Sequence, residues 1–222
     1  MTESRTERLA PWAGVLAAAL MAGGFVLVGM DAPGSDASRA EVLSTYGDDA
    51  VNSRQAAGVL IVALGAVALL GFAAHLRGVL ASRVADTSPL PAAAFAGGIV
   101  LAGSLVGGTV MSAAVSAGSY FDSYRPDADL AMTLVAGGFY LNGFAAIAGG
   151  LLIAGTSIVV WRTGLLPRWL TGVGLAIAVA SIPAGLLGMW ILVETVWIAI
   201  AAGLLARRRA VGAPAPILGG AA

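Results

Sequence analysis

The sequence predicts an all-α polytopic membrane bundle of about six transmembrane helices, with a short amphipathic helix on its outer face. Three observations carry this. Hydrophobic residues make up 59% of the 222 residues and charged residues 11%, and the mean hydropathy is +0.90, far more apolar than an ordinary soluble domain. The apolar residues fall in runs of about 20 or more, enough to cross a hydrocarbon core about 30 Å thick. The charges sit between the runs, and their sign alternates from one side to the other.

The first run, about Leu9 to Met30, follows Arg5 and Arg8. It exceeds the roughly 7–15 residues of a signal-peptide core and further runs follow it, so it reads as a retained helix. The loop from Asp31 to Gln55 is long and patterned. Ser38-Arg-Ala-Glu41 matches a capping box, in which a hydroxyl and a carboxylate each satisfy an orphan backbone donor at a helix start. Val42, Leu43 and Tyr46 then offer an apolar face, Gly47 is a stop signal, and Asp48 or Asp49 caps the next helix. Further spans are expected at about Ala56–Leu76, Leu90–Ala117, Leu130–Val160, Leu170–Leu187 and Met189–Ala206. The last two touch. Pro183, Gly185 and Gly188 would turn the chain between them, because one helix from Leu170 to Ala206 would be about 55 Å long, too long for one crossing.

Orientation follows from the arginines, which supply all the basic residues. Arg5, Arg8, Arg77, Arg83, Arg162, Arg168 and Arg207 to Arg209 fall on one side; Arg39, Arg54 and Arg125 fall on the other. The positive-inside rule then places both termini in the cytoplasm of a cell-membrane protein. Residues 1–209 form one transmembrane domain in this reading, and residues 210–222, rich in Pro, Gly and Ala, form a short flexible tail.

Composition also excludes chemistry. The net charge of +0 argues against a nucleic-acid partner. No Cys is present, which removes disulfides and thiol chemistry, and one His, His75, is too few for a bis-His haem or a HExxH metalloprotease. Gly172-Val-Gly-Leu-Ala lacks the strand and acidic partner of a dinucleotide fingerprint, and no phosphate-binding loop motif occurs, so no nucleotide or other cofactor is expected. The acidic outer loops, with Asp48, Asp49, Asp122, Asp127 and Asp129, lack the order and Gly of a calcium-binding EF-hand and read as solvated charge. No enzymatic activity is expected.

Two polar residues within spans are candidate functional groups. Glu194 is the one acidic side chain well inside a predicted span, about 20 Å from Arg207 along the last helix. Charge there costs about 2.5 kcal/mol or more at the bilayer centre, so it should be paired, neutral or wet. Trp190, Glu194 and Trp197 share a stripe. Facing the bundle, Glu194 can carry a proton or cation; facing an outer vestibule, it can pair with Arg54 or Arg125. Asn142, in the fourth span near Tyr140, is either interhelical glue or part of the same polar path. Ser104, Thr109, Ser112, Ser116 and Thr156 are expected to bond back to their own helices.

The Gly-rich third and fourth spans, with a GxxxG match at Gly103 and Gly107, are expected to form the tight centre of the bundle. Trp12, Trp161 and Trp169 are expected at the inner interface, with three aromatics of 118–127 at the outer one. Arg162 and Arg168 either anchor the loop between the fourth and fifth helices at the headgroups or form an anionic-ligand site.

The outer pattern Ser38-Arg-Ala-Glu41-Val42 with Tyr46, and the inner pattern Trp161-Arg-Thr-Gly-Leu-Leu-Pro-Arg-Trp-Leu170, resemble uncharacterised bacterial six-helix membrane proteins classed as domains of unknown function. The resemblance implies fold and location and assigns no site residue. The functional expectation is a non-enzymatic accessory or structural membrane protein, with the bilayer and a second membrane protein as partners. The alternative is a small transporter or channel with a polar path joining Glu194 to Asn142. The accessory reading calls for an exposed groove of small residues; the transporter reading calls for a cavity.

Overall fold

A computed structural model of the chain describes residues 5–34, 36–118, 127–185 and 189–211. They form seven helices: α1 (Arg5–Gly29), α2 (Arg39–Tyr46), α3 (Asp49–Ala81), α4 (Leu90–Gly118), α5 (Ala128–Thr163), α6 (Arg168–Ala184) and α7 (Trp190–Val211). The fold is an all-α bundle, as predicted. The span count differs: α1, α3, α4, α5 and α7 are long and apolar enough to cross a membrane, whereas α6 has 17 residues. At 1.5 Å per residue α6 extends about 25 Å, short of the roughly 30 Å of hydrocarbon.

The α6 and α7 helices nevertheless run antiparallel across the bundle. Trp190 Nε1 donates to Ser181 Oγ at 2.9 Å, Trp197 Nε1 to Leu170 O at 3.2 Å, and Arg208 Nη1 to Gly164 O at 3.3 Å. The end of α7 thus returns to the connection at which α6 begins. There Gly164 ends α5 in the left-handed conformation, φ 66°, with its N–H on Val160 O, and Pro167 is the N-cap of α6. Glycine adopts that backbone without a Cβ penalty.

The other end carries the cap predicted from the loop. Ser38 Oγ accepts from Glu41 N, which is one half of the expected capping box, and Asp48 Oδ1 accepts from Ala50 N at 2.8 Å. Val42 and Tyr46 turn inward onto Val115, Ala128 and Ala131 as a separate apolar cluster, while Leu43 points outward. Asn52 Nδ2 ties α3 to Tyr46 O at 3.1 Å, and Ser116 Oγ donates to Gln55 Oε1 between α4 and α3. Arg54 grips Asp31 with two hydrogen bonds of 3.0 Å, and Arg39 pairs with Asp129. Such exposed pairs contribute about 0–1 kcal/mol each.

At the centre is α5, with α4 on one flank and α6 and α7 on the others. The α4–α5 pair has the most extensive contact in the bundle, as expected, but the GxxxG match does not make it. A Cβ at Gly97 would lie 2.6 Å from Leu152 N and 2.7 Å from Ala148 O, so the backbones touch there. A Cβ at Gly103 would meet nothing within 4 Å, and one at Gly107 would meet only Leu141 Cδ1 at 3.8 Å. That pair faces outward, beside the exposed Val100 and Val110.

Trp12, Trp161 and Trp169 are more than half exposed, as interfacial anchors would be. Four expectations lie outside the described residues: the aromatics and charges of 119–126, the side chains of Arg5, Arg8 and Arg209, the turn at 186–188, and the tail beyond residue 211.

Candidate functional site

Glu194 lies in the first turns of α7, and its stripe faces the bundle. The residue is fully buried. Ser181 Oγ, from α6, donates to Glu194 Oε1 at 2.6 Å, and the indole N–H of Trp190 donates to the same hydroxyl at 2.9 Å. Ser181 Oγ is also 2.9 Å from Ile177 O. A hydroxyl has one proton to give, so it serves either Ile177 O or the carboxyl at a given moment.

The other carboxyl oxygen, Oε2, packs onto α5 at Gly149, where a Cβ would overlap it. Among the described residues Oε2 has no hydrogen-bond partner. Only glycine leaves room for the carboxyl at this crossing. Gly149 precedes Arg162 by thirteen residues, so the carboxyl sits about 20 Å from the Arg-rich end, the depth expected from its distance to Arg207.

The described partners of Glu194 are neutral. Arg54, one of the two expected counter-ions, is bonded to Asp31 instead, and Arg125 lies outside the described residues. The Glu194 stripe continues one turn on to Trp197, 4% exposed, and a methyl at Gly174 would run into both Ser157 and Trp197. Ser157 and Thr171, also buried, have hydroxyls with no described partner. The α5–α6–α7 junction is therefore a polar seam.

Asn142 occupies a different seam. It is 7% exposed, and its Oδ1 packs against Gly108 of α4, where a Cβ would overlap it. That places it as an interhelical contact, although Oδ1 has no described hydrogen-bond partner. Residues 142 and 149 lie seven apart, about 10 Å along α5 and on nearly one face. Ala145 and Ala146, both buried, occupy the intervening turn. The described residues bring Glu194 and Asn142 to the same helix without joining them by polar groups.

Sequence reasoning did not find Ser181, Gly149 or the Gln55–Ser116 pair. Ser181 sits in a stretch that reads as a turn, and a glycine among 31 carries no mark of the atom that it accommodates. Thr109 and Thr156 bond back to Leu105 O and Leu152 O at 2.8 and 2.7 Å, as expected, whereas Ser116, expected to do the same, donates across to Gln55 Oε1 of α3. His75, in α3, is half-buried. No group of three His, Cys, Asp or Glu suited to a metal ion occurs among the described residues. The chain matches no protein-family model, no curated protein and no solved structure.

Proposed function

We propose that this chain is a non-enzymatic multi-pass protein of the cell membrane, akin to uncharacterised bacterial six-helix proteins, with an accessory or structural role and both termini in the cytoplasm. The closure around Glu194 carries this reading. Its carboxyl has no exposed surface, sits in a notch that Gly149 leaves on α5, and takes its hydrogen bond from Ser181. A group so enclosed locks three helices together by shape and by one buried hydrogen bond. The outward face of α4, where Gly103 and Gly107 are open, supports an accessory role, since small residues let a second helix approach closely. The gathering of the described Arg77, Arg83, Arg162, Arg168 and Arg208 at one end supports the orientation.

The second reading, a small transporter or channel using Glu194, is favoured by Oε2 and by the hydroxyls of Ser157 and Thr171 along the same seam, which have no hydrogen-bond partner among the described residues. Proton and cation flux into vesicles holding the purified protein separates the two. The accessory reading expects flux equal to that of empty vesicles. Flux in the parent that is lost in Glu194→Gln, with Asn142→Ala as a second probe, establishes the transporter instead.

A further inference from the structure

The α4 and α6 helices both pack on α5 but have no extensive contact with each other among the described residues. Between them α5 is left as the floor of an open groove of about 570 Å³, with Ile147, Leu151 and Ala154 on its floor and Val100 and Val179 on its two walls. Towards the Arg-rich end a second recess of about 260 Å³ continues it, because Leu175 lines both, and it ends at Trp161 and Arg162.

The lining of the larger groove is apolar throughout. Ile147 to Arg162 spans fifteen residues, about 22 Å along α5, which covers one leaflet of roughly 15 Å and part of the other. Val179 is 71% exposed and Trp161 59%, so the groove opens outward to where lipid lies. A cationic end on an apolar trough matches the two halves of an anionic phospholipid. We propose that this groove is a specific site for one such lipid, its acyl chain lying along α5 between α4 and α6 and its phosphate held by Arg162, with Arg168 beyond the connection as a second cation.

The shortness of α6 is part of the site. A helix of about 25 Å beside one of 36 residues cannot cover α5 over its full length, and a lipid chain fills what is left. Alanine and glycine on the α5 floor keep the trough deep, while the exposed Trp161 marks the headgroup level.

The test is lipid retention. Protein equilibrated in vesicles of equal phosphatidylglycerol and phosphatidylcholine is extracted into mild detergent, and its bound lipid is counted by native mass spectrometry. The parent is expected to keep one phospholipid, enriched about thirtyfold for the anionic headgroup, since each of the two Arg near a lipid surface contributes about 1 kcal/mol. Arg162→Gln combined with Arg168→Gln should keep the lipid and lose the enrichment. Ala154→Phe should lose retention of both headgroups at unchanged melting temperature, and Val179→Trp, on the outward wall, is the second filler should the first variant misfold. A parent that retains no lipid, a groove-filled variant that retains it unchanged, or a second copy of the chain bound in its place overturns the proposal.

Discussion

Along α4 and α5 the helices meet backbone on backbone at Gly97, whereas α6 meets α7 through side chains that hydrogen-bond: Trp190 to Ser181, Ser181 to Glu194, Trp197 to Leu170. The first seam is held by dispersion between closely approaching main chains, which falls away steeply once anything larger than hydrogen intrudes. The second tolerates more space because each polar contact has direction. Both seams border one helix, α5, which meets the second where Gly149 packs on the Glu194 carboxyl, and the contrast has one cause: apolar side chains gain nothing from leaving lipid for protein, so association rests on close fit or on hydrogen bonds.

The largest effect should come from Gly97→Leu. Its Cβ would meet Leu152 N and Ala148 O, and backbone cannot step aside as a side chain can. A loss of about 3 kcal/mol or more is expected, the upper end of the overpacking range. Gly103→Leu, the same change on the open face, should alter stability by about 0.5 kcal/mol or less. Equal effects from the two, in detergent unfolding, would erase the distinction between close-packed and outward glycine.

The polar seam should break less severely. Glu194→Leu removes the interhelical acceptor of Ser181, whose hydroxyl keeps Ile177 O, and is expected to cost about 0.5–1.5 kcal/mol, the net worth of one hydrogen bond. Glu194→Gln retains an acceptor in the same place and should lose less. A variant pair with the opposite order, in the same assay, would show that shape and not hydrogen bonding holds this side.

The smallest effect is confined to the cap. Burial pushes the Tyr46 phenol up to about 12 from 10.0. Since the folded state favours the neutral phenol, that contribution is complete below about pH 10 and is lost as pH rises through about 12. The cap should loosen over that window, and Tyr46→Phe should flatten the dependence. A phenolate absorbance titration in which all tyrosines ionise together near pH 10 would remove the basis for it.

Spans and caps were legible because they rest on length and on local chemistry. Runs of apolar residues locate α1, α3, α4, α5 and α7, and Ser38 and Asp48 announce the helices that they cap. The inward face was not legible. In a soluble helix polarity tells inside from outside, but in α4 both faces are apolar, and Gly103 and Gly97 differ only in which way the helix is turned. The spacing of a GxxxG match carries no such information. Glu194 was legible as a rarity, and its stripe with Trp190 and Trp197 was correct, yet its partners came from a stretch that looked like a turn and from a glycine. The bounds of α6 were displaced: Leu170 to Leu187 reads as a span, whereas the helix runs from Arg168 to Ala184, just after Pro183.

Reactivity of the Glu194 carboxyl in intact vesicles bears most directly on the enclosure by α5, α6 and α7. A membrane-soluble carbodiimide modifies carboxyl groups that it can reach from the hydrocarbon, and peptide mass spectrometry reports which residue has reacted. The account predicts that Glu194 stays unmodified in the folded protein and reacts only after denaturation. Modification of Glu194 in the native bundle, at a rate that Gly149→Ala or Ser181→Ala does not change, would contradict it.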